Sequence, residues 1–137
     1  MKALLPALAL PFVILAGCAS ATASGDASGS ASGARPVVPP AKVTGADQNC
    51  VLIQNIRETR VRDDNTIDFY MRGGKVFRNT LPNSCPQLGF ERAFSYSTSI
   101  SQLCNVDIIT VFINSGGIRR GASCGLGKFT PIEKPAY

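Results

Sequence analysis

Three kinds of side chain in this sequence could do chemistry: carboxylates at Asp63, Asp64 and Asp107, a run of cations between Arg57 and Arg78, and five cysteines. Asp63 and Asp64 form the one adjacent acidic pair. Glycoside hydrolysis needs two carboxylates held roughly 5 to 10 Å apart across a cleft, and an EF-type calcium loop needs more oxygen ligands, a glycine turn and a closing Glu. With Asn65 the pair reads instead as a turn whose side chains accept nearby backbone amides. Asp107 interrupts an apolar run, so it is expected to accept backbone amides or an arginine beside the core, with a ligand-binding carboxylate as the alternative. Histidine is absent. That removes the usual general base near neutral pH and the commonest zinc ligand, and no Ser-His-Asp or Cys-His arrangement can be assembled from this chain. A non-catalytic protein without cofactor or metal is therefore expected. The enzymatic alternative is action on a cell wall or glycan through Asp107 or the Asp63/Asp64 pair.

The cations Arg57, Arg60, Arg62, Arg72, Lys75 and Arg78 fall within 22 residues. Arg72, Lys75, Arg60 and Arg62 are the candidates for an anion site, with a phosphate-rich lipid headgroup or an acidic glycan as the natural partner in an envelope. Basic residues on exposed strand faces also guard edges against aggregation. The whole chain carries a net charge of +5, too little for the dense basic stripe of a nucleic-acid binder.

The cysteines divide by position. Cys18 follows Leu15-Ala16-Gly17 at the end of an apolar run, residues 3–16, that begins after Lys2 and contains Pro6 and Pro11. Fourteen residues are too few for a permanent helical span, which needs about 20, so 1–17 reads as a removable signal. Charge, apolar run, small residues and cysteine in that order resemble the lipobox of bacterial lipoproteins, which implies cleavage before Cys18 and acylation of its thiol. The remaining Cys50, Cys85, Cys104 and Cys124 are an even four with no Cys-x-x-Cys spacing. In an oxidising compartment they imply two disulfides rather than a redox motif or zinc knuckle. Three pairings are possible. Bracketing favours Cys50 with Cys124 around the domain and Cys85 with Cys104 around its least regular segment, closures worth roughly 4.5 and 3 kcal/mol in the chain-entropy model.

These residues need elements to hold them. Residues 18–46, Ala/Ser/Gly-rich and then proline-rich, cannot build a core and read as a lipid-anchored flexible linker with an rms span of about 30 Å. Residues 47–137 form the domain. Alternation around the Asp63-Asp64-Asn65 turn sets Val61 opposite Ile67 and Arg60 opposite Asp68, a pair worth a few tenths of a kcal/mol (~0.3). Gly73-Gly74 as a two-residue turn sets Tyr70 opposite Phe77 and Arg72 opposite Lys75. The result is a meander of strands at 57–62, 67–72 and 75–81, with Val61, Ile67, Phe69, Met71 and Val76 on its inner face. Residues 104–113 read as a central strand, 115–121 as a loop carrying Arg119 and Arg120, and 123–129 as a last strand. Five or six short strands predict an all-β domain, a small open barrel or curled sheet of the SH3 or OB type, stapled by two disulfides.

Arg60-Val61-Arg62-Asp63-Asp64-Asn65-Thr66-Ile67, Leu81-Pro82 before Cys85-Pro86, Leu103-Cys104 with Asp107, and Cys124-Gly125-Leu126-Gly127-Lys128-Phe129 together resemble a family of short proteobacterial lipoproteins of unknown function. The resemblance implies an exported, lipid-anchored and disulfide-bonded protein and brings no activity with it. Ala19, where an Asp marks inner-membrane retention in some enteric bacteria, makes the outer membrane the placement implied by resemblance. Replacing Cys18 with Ser should leave the chain unacylated and unanchored. Metabolic acyl labelling with membrane fractionation reads this, and a labelled, membrane-bound variant would contradict it.

Overall fold

The computed structural model describes residues 38–136. The signal at 1–17, the lipidation candidate Cys18 and the linker up to residue 37 lie outside the described residues. The chain is all-β, with nine strands in three antiparallel sheets, almost no helix and no closed barrel among the described residues. The strands are β1 (Cys50–Leu52), β2 (Ile56–Val61), β3 (Thr66–Met71), β4 (Val76–Thr80), β5 (Phe94–Tyr96), β6 (Gln102–Cys104), β7 (Ile108–Ile113), β8 (Arg119–Gly125) and β9 (Phe129–Ile132), with one helical turn, α1 (Leu88–Glu91). The sheets are ordered β2-β3-β4-β9, β5-β7-β8 and β1-β6.

The first hairpin has the register expected from alternation: Val61 pairs with Ile67 and Arg60 with Asp68. Its turn is an Asx turn in which the Asn65 N–H donates to Asp63 Oδ1 at 2.8 Å. The second hairpin is displaced by one residue. Tyr70 lies opposite Val76 and Phe69 opposite Phe77, because the loop holds three residues, Arg72-Gly73-Gly74, closed by the Met71 N–H on the Lys75 carbonyl at 2.8 Å. Gly73 and Gly74 take φ of +87° and +86°, angles open to glycine and costly for other residues. Side chains alternate with period two, so a one-residue slip changes face. Phe77 therefore joins the core with Val61, Ile67, Phe69 and Met71, whereas Val76 packs with Tyr70 and Ile132 on the opposite face. Arg72 does not face Lys75.

The inner face of the four-stranded sheet packs against Ile109 and Val111 of β7, Val51 and Leu103 of the β1-β6 ribbon, and Leu88 of α1. Phe69 and Phe129 meet edge to face at 5.3 Å. Burying each such side chain contributes about 1.5 to 3 kcal/mol.

Both disulfides form, with the partners exchanged relative to the bracketing expectation: Cys50 is bonded to Cys104 and Cys85 to Cys124. The reason is topological. Cys50 stands directly across from Cys104 in the β1-β6 ladder, with Cα atoms 4.0 Å apart. Cys85, just after the Pro82 turn, has its Cα 5.8 Å from that of Cys124 in β8. The loops interlock rather than nest, spanning 54 and 39 residues, and each restricts the unfolded chain by about 4 kcal/mol in the chain-entropy model.

Three further expectations change. The strand expected over 104–113 is broken after Cys104, since the Asp107 N–H donates to the Cys104 carbonyl at 3.0 Å and closes a turn. Val106 and Ile108 consequently point to solvent. Arg119 and Arg120 lie in β8 rather than on a loop, and the last strand is β9 instead of 123–129. Residues 43–48 run beside β9. Val43 bridges Ile132, Gln48 bridges Phe129, and the Thr44 N–H donates to the Pro131 carbonyl at 2.8 Å, so the end of the linker runs as a strap along β9.

Asn79 and Gly127 lock this strap side of the sheet. The fully buried Asn79 amide donates to the Gly127 carbonyl at 2.7 Å and accepts the Gly127 N–H at 2.8 Å, mimicking a strand neighbour. A Cβ on Gly127 would overlap the Thr80 carbonyl oxygen. Gly127→Ala should therefore destabilise the domain by about 3 kcal/mol, read by urea unfolding. A loss under about 0.5 kcal/mol, the range of unremarkable surface changes, would show that the close approach is not required.

Candidate functional site

Of the six cations that cluster in sequence, Arg60, Arg62 and Arg78 form ion pairs, Arg57 is exposed on β2, and Arg72 and Lys75 share one turn. On the outer face of β3, Asp68 is fully buried. Arg78 grips its carboxylate with two hydrogen bonds, Nε to Oδ1 at 2.7 Å and Nη2 to Oδ2 at 3.0 Å, and Arg62 Nε adds a third to Oδ2 at 2.8 Å. Each arginine has a second partner: Arg62 Nη2 donates to the Tyr70 hydroxyl at 2.9 Å and Arg78 Nη1 to the Pro39 carbonyl at 2.9 Å. Arg60 stands opposite Asp68 in the ladder. Its guanidinium lies 5.1 Å over the Tyr70 ring and binds Glu58. That hydrogen bond, ahead of smaller attractions from neighbouring cations, holds the Glu58 carboxyl below its ordinary range.

Arg72 and Lys75 differ. Both are exposed on the β3–β4 turn, and neither forms an ion pair among the described residues. They flank a groove of about 370 Å³ between that turn and β1, where the amides of Gln48, Asn55 and Gln102 join them. A second concavity of about 390 Å³ shares Gln48, Lys75 and Phe77 and continues under the strap. The structure thus brings together two of the four sequence-predicted anion residues, Arg72 and Lys75, and places Arg60 and Arg62 in ion pairs elsewhere. The slipped register separates them from direct opposition but leaves both on one rim. The three amide side chains carry no sequence signal, being ordinary polar residues until the fold gathers them.

The carboxylates have structural partners. Asp63 caps its own turn, Asp64 Oδ1 accepts the Gly89 N–H at 2.7 Å, and Asp107 Oδ2 accepts the Cys104 N–H at 2.6 Å. A Cβ on Gly89 would come within about 3.1 Å of the Asp63-Asp64 backbone, so that turn is the dock for α1. None of the three lines the groove. Of the other cations, Arg119 reaches the Ser115 carbonyl at 3.4 Å, and Arg120 is exposed on β8.

Compared with known protein families, characterised proteins and solved structures, the chain shows no match. The site therefore rests on its own geometry.

Asp68→Asn keeps the volume and removes the charge, leaving two largely buried guanidiniums without their counterion. Stability should fall by about 3 kcal/mol, measured by urea unfolding. An unchanged midpoint would mean that the arginines are not held by this carboxylate.

Proposed function

We propose that this chain is a non-catalytic, lipid-anchored envelope protein whose β-domain binds an anionic component at the groove between β1 and the β3–β4 turn. The observation carrying this reading is that Arg72 and Lys75, outside any ion pair among the described residues, share the mouth of a polar groove, while Arg60, Arg62 and Arg78 are paired with carboxylates. Two cations on one rim attract an anion from a distance, and the neighbouring amides supply hydrogen bonds once it arrives. The anchor is the acylated Cys18, with the outer membrane and its periplasmic face as the location. The two disulfides fit an extracytoplasmic compartment, and the sequence motifs resemble those of the short proteobacterial lipoproteins. Asp63, Asp64 and Asp107 serve as backbone acceptors in this reading, which weighs against the enzymatic alternative.

The double charge reversal Arg72→Glu with Lys75→Glu tests it. Retention on anionic-lipid vesicles or on sulfated dextran should fall at least about 10-fold at low salt, where surface charges are least screened, with an unchanged melting temperature. Unchanged retention on both matrices would sink the proposal.

A further inference from the structure

Among the described residues β1 is hydrogen-bonded to another strand along one side only. The Asn105 N–H donates to the Asn49 carbonyl at 2.8 Å and the Ile53 N–H to the Ser101 carbonyl at 3.1 Å. These bonds flank the Val51–Leu103 pair and set the phase of the ladder: the backbone groups of residues 49, 51 and 53 point at β6. In an antiparallel ribbon the alternate residues point the other way, so Cys50 and Leu52 direct theirs away from β6. On that side the strand has a partner only at Gln48, which exchanges hydrogen bonds with Phe129 at 2.9 and 2.8 Å. Beyond it the chains part. Among the described residues no backbone partner takes up the Cys50 N–H and carbonyl or the Leu52 N–H. The groove is lined by the inward residue Val51 as well as by the outward Cys50 and Leu52, as expected when a strand presents its edge rather than one face.

We infer that the groove takes an acidic peptide segment in extended conformation, which adds a strand to β1 and places its carboxylates at Arg72 and Lys75. This rests on the reading of those two residues as an anion-binding pair and names the partner's chemistry. Alternating N–H and C=O groups along an edge are the complement of a peptide backbone. The groove offers no sugar-stacking platform, since its one aromatic, Phe77, is 5% exposed. The edge is short. Three residues at about 3.3 Å each accommodate a segment of some three to five residues, so the charge contacts must supply much of the affinity and the main chain the orientation.

The full chain in neutral detergent is titrated with fluorescein-labelled acetyl-Glu-Val-Glu-Val-Glu-amide, read by anisotropy. Two further versions carry N-methyl groups on both valines or on all three glutamates, keeping every charge. A strand edge uses alternate N–H groups, so one methylation pattern should weaken binding at least 10-fold while the other changes it less than 3-fold. Arg72→Ser with Lys75→Ser should weaken all versions. If both patterns bind like the parent, or both lose equally, strand addition is overturned while retention on sulfated dextran leaves the anion site standing. If neither peptide nor dextran binds, both readings fall.

Discussion

A single buried carboxylate organises the four-stranded sheet. Asp68, on β3, takes hydrogen bonds from an arginine just past the end of β2 and from one on β4, so it ties the meander across its width. Removing a carboxylate from water costs several kcal/mol unless the partners are well placed, and three charge-assisted hydrogen bonds meet that condition. The same carboxylate excludes alternatives. A one-residue slip of β3 would turn Asp68 inward among Phe69's neighbours in the core, where no cation waits. Through Arg78 and the Pro39 carbonyl the network reaches the strap, so the outer face of the sheet is covered by charge pairs and the incoming chain.

This arrangement also sorts charge. A basic stretch that looks uniform in sequence becomes an ion-paired cluster of three arginines and two carboxylates on one face and, at the hairpin end, two cations outside any ion pair among the described residues. The disulfides complete the site in a different way. Cys50–Cys104 fixes the three-residue β1-β6 ribbon, too short to persist alone, and that ribbon is one wall of the groove. Cys85–Cys124 joins the loop after β4 to β8 and closes the far end of the core.

The sequence made the all-β class, the β2–β3 register and the need for two disulfides legible, because alternation and cysteine parity are local properties. It did not make the second hairpin's register legible: Gly73-Gly74 serves a two-residue or a three-residue turn equally well, and the choice is decided by which of Val76 and Phe77 fills the core better. Cysteine bracketing failed because β1 crosses to pair with β6, a long-range contact that spacing does not encode. Asp107 was legible as a backbone acceptor but not as the residue that ends a strand. For the site, Arg72 and Lys75 stood out by position. Their availability depends on Asp68 claiming their neighbours, and the open edge of β1 depends on strand order, neither of which a composition reading contains.

The candidate site rests on a division of labour between ion-paired and unpaired cations beside an open strand edge. Backbone amide chemical shifts, followed while an acidic peptide is added to the isotopically labelled chain, test it at residue level. The division predicts shifts concentrated at Cys50, Leu52 and Arg72 to Lys75, with Arg62, Asp68 and Arg78 unmoved. Shifts centred on Arg62 and Arg78, or on Arg119 and Arg120, would contradict it.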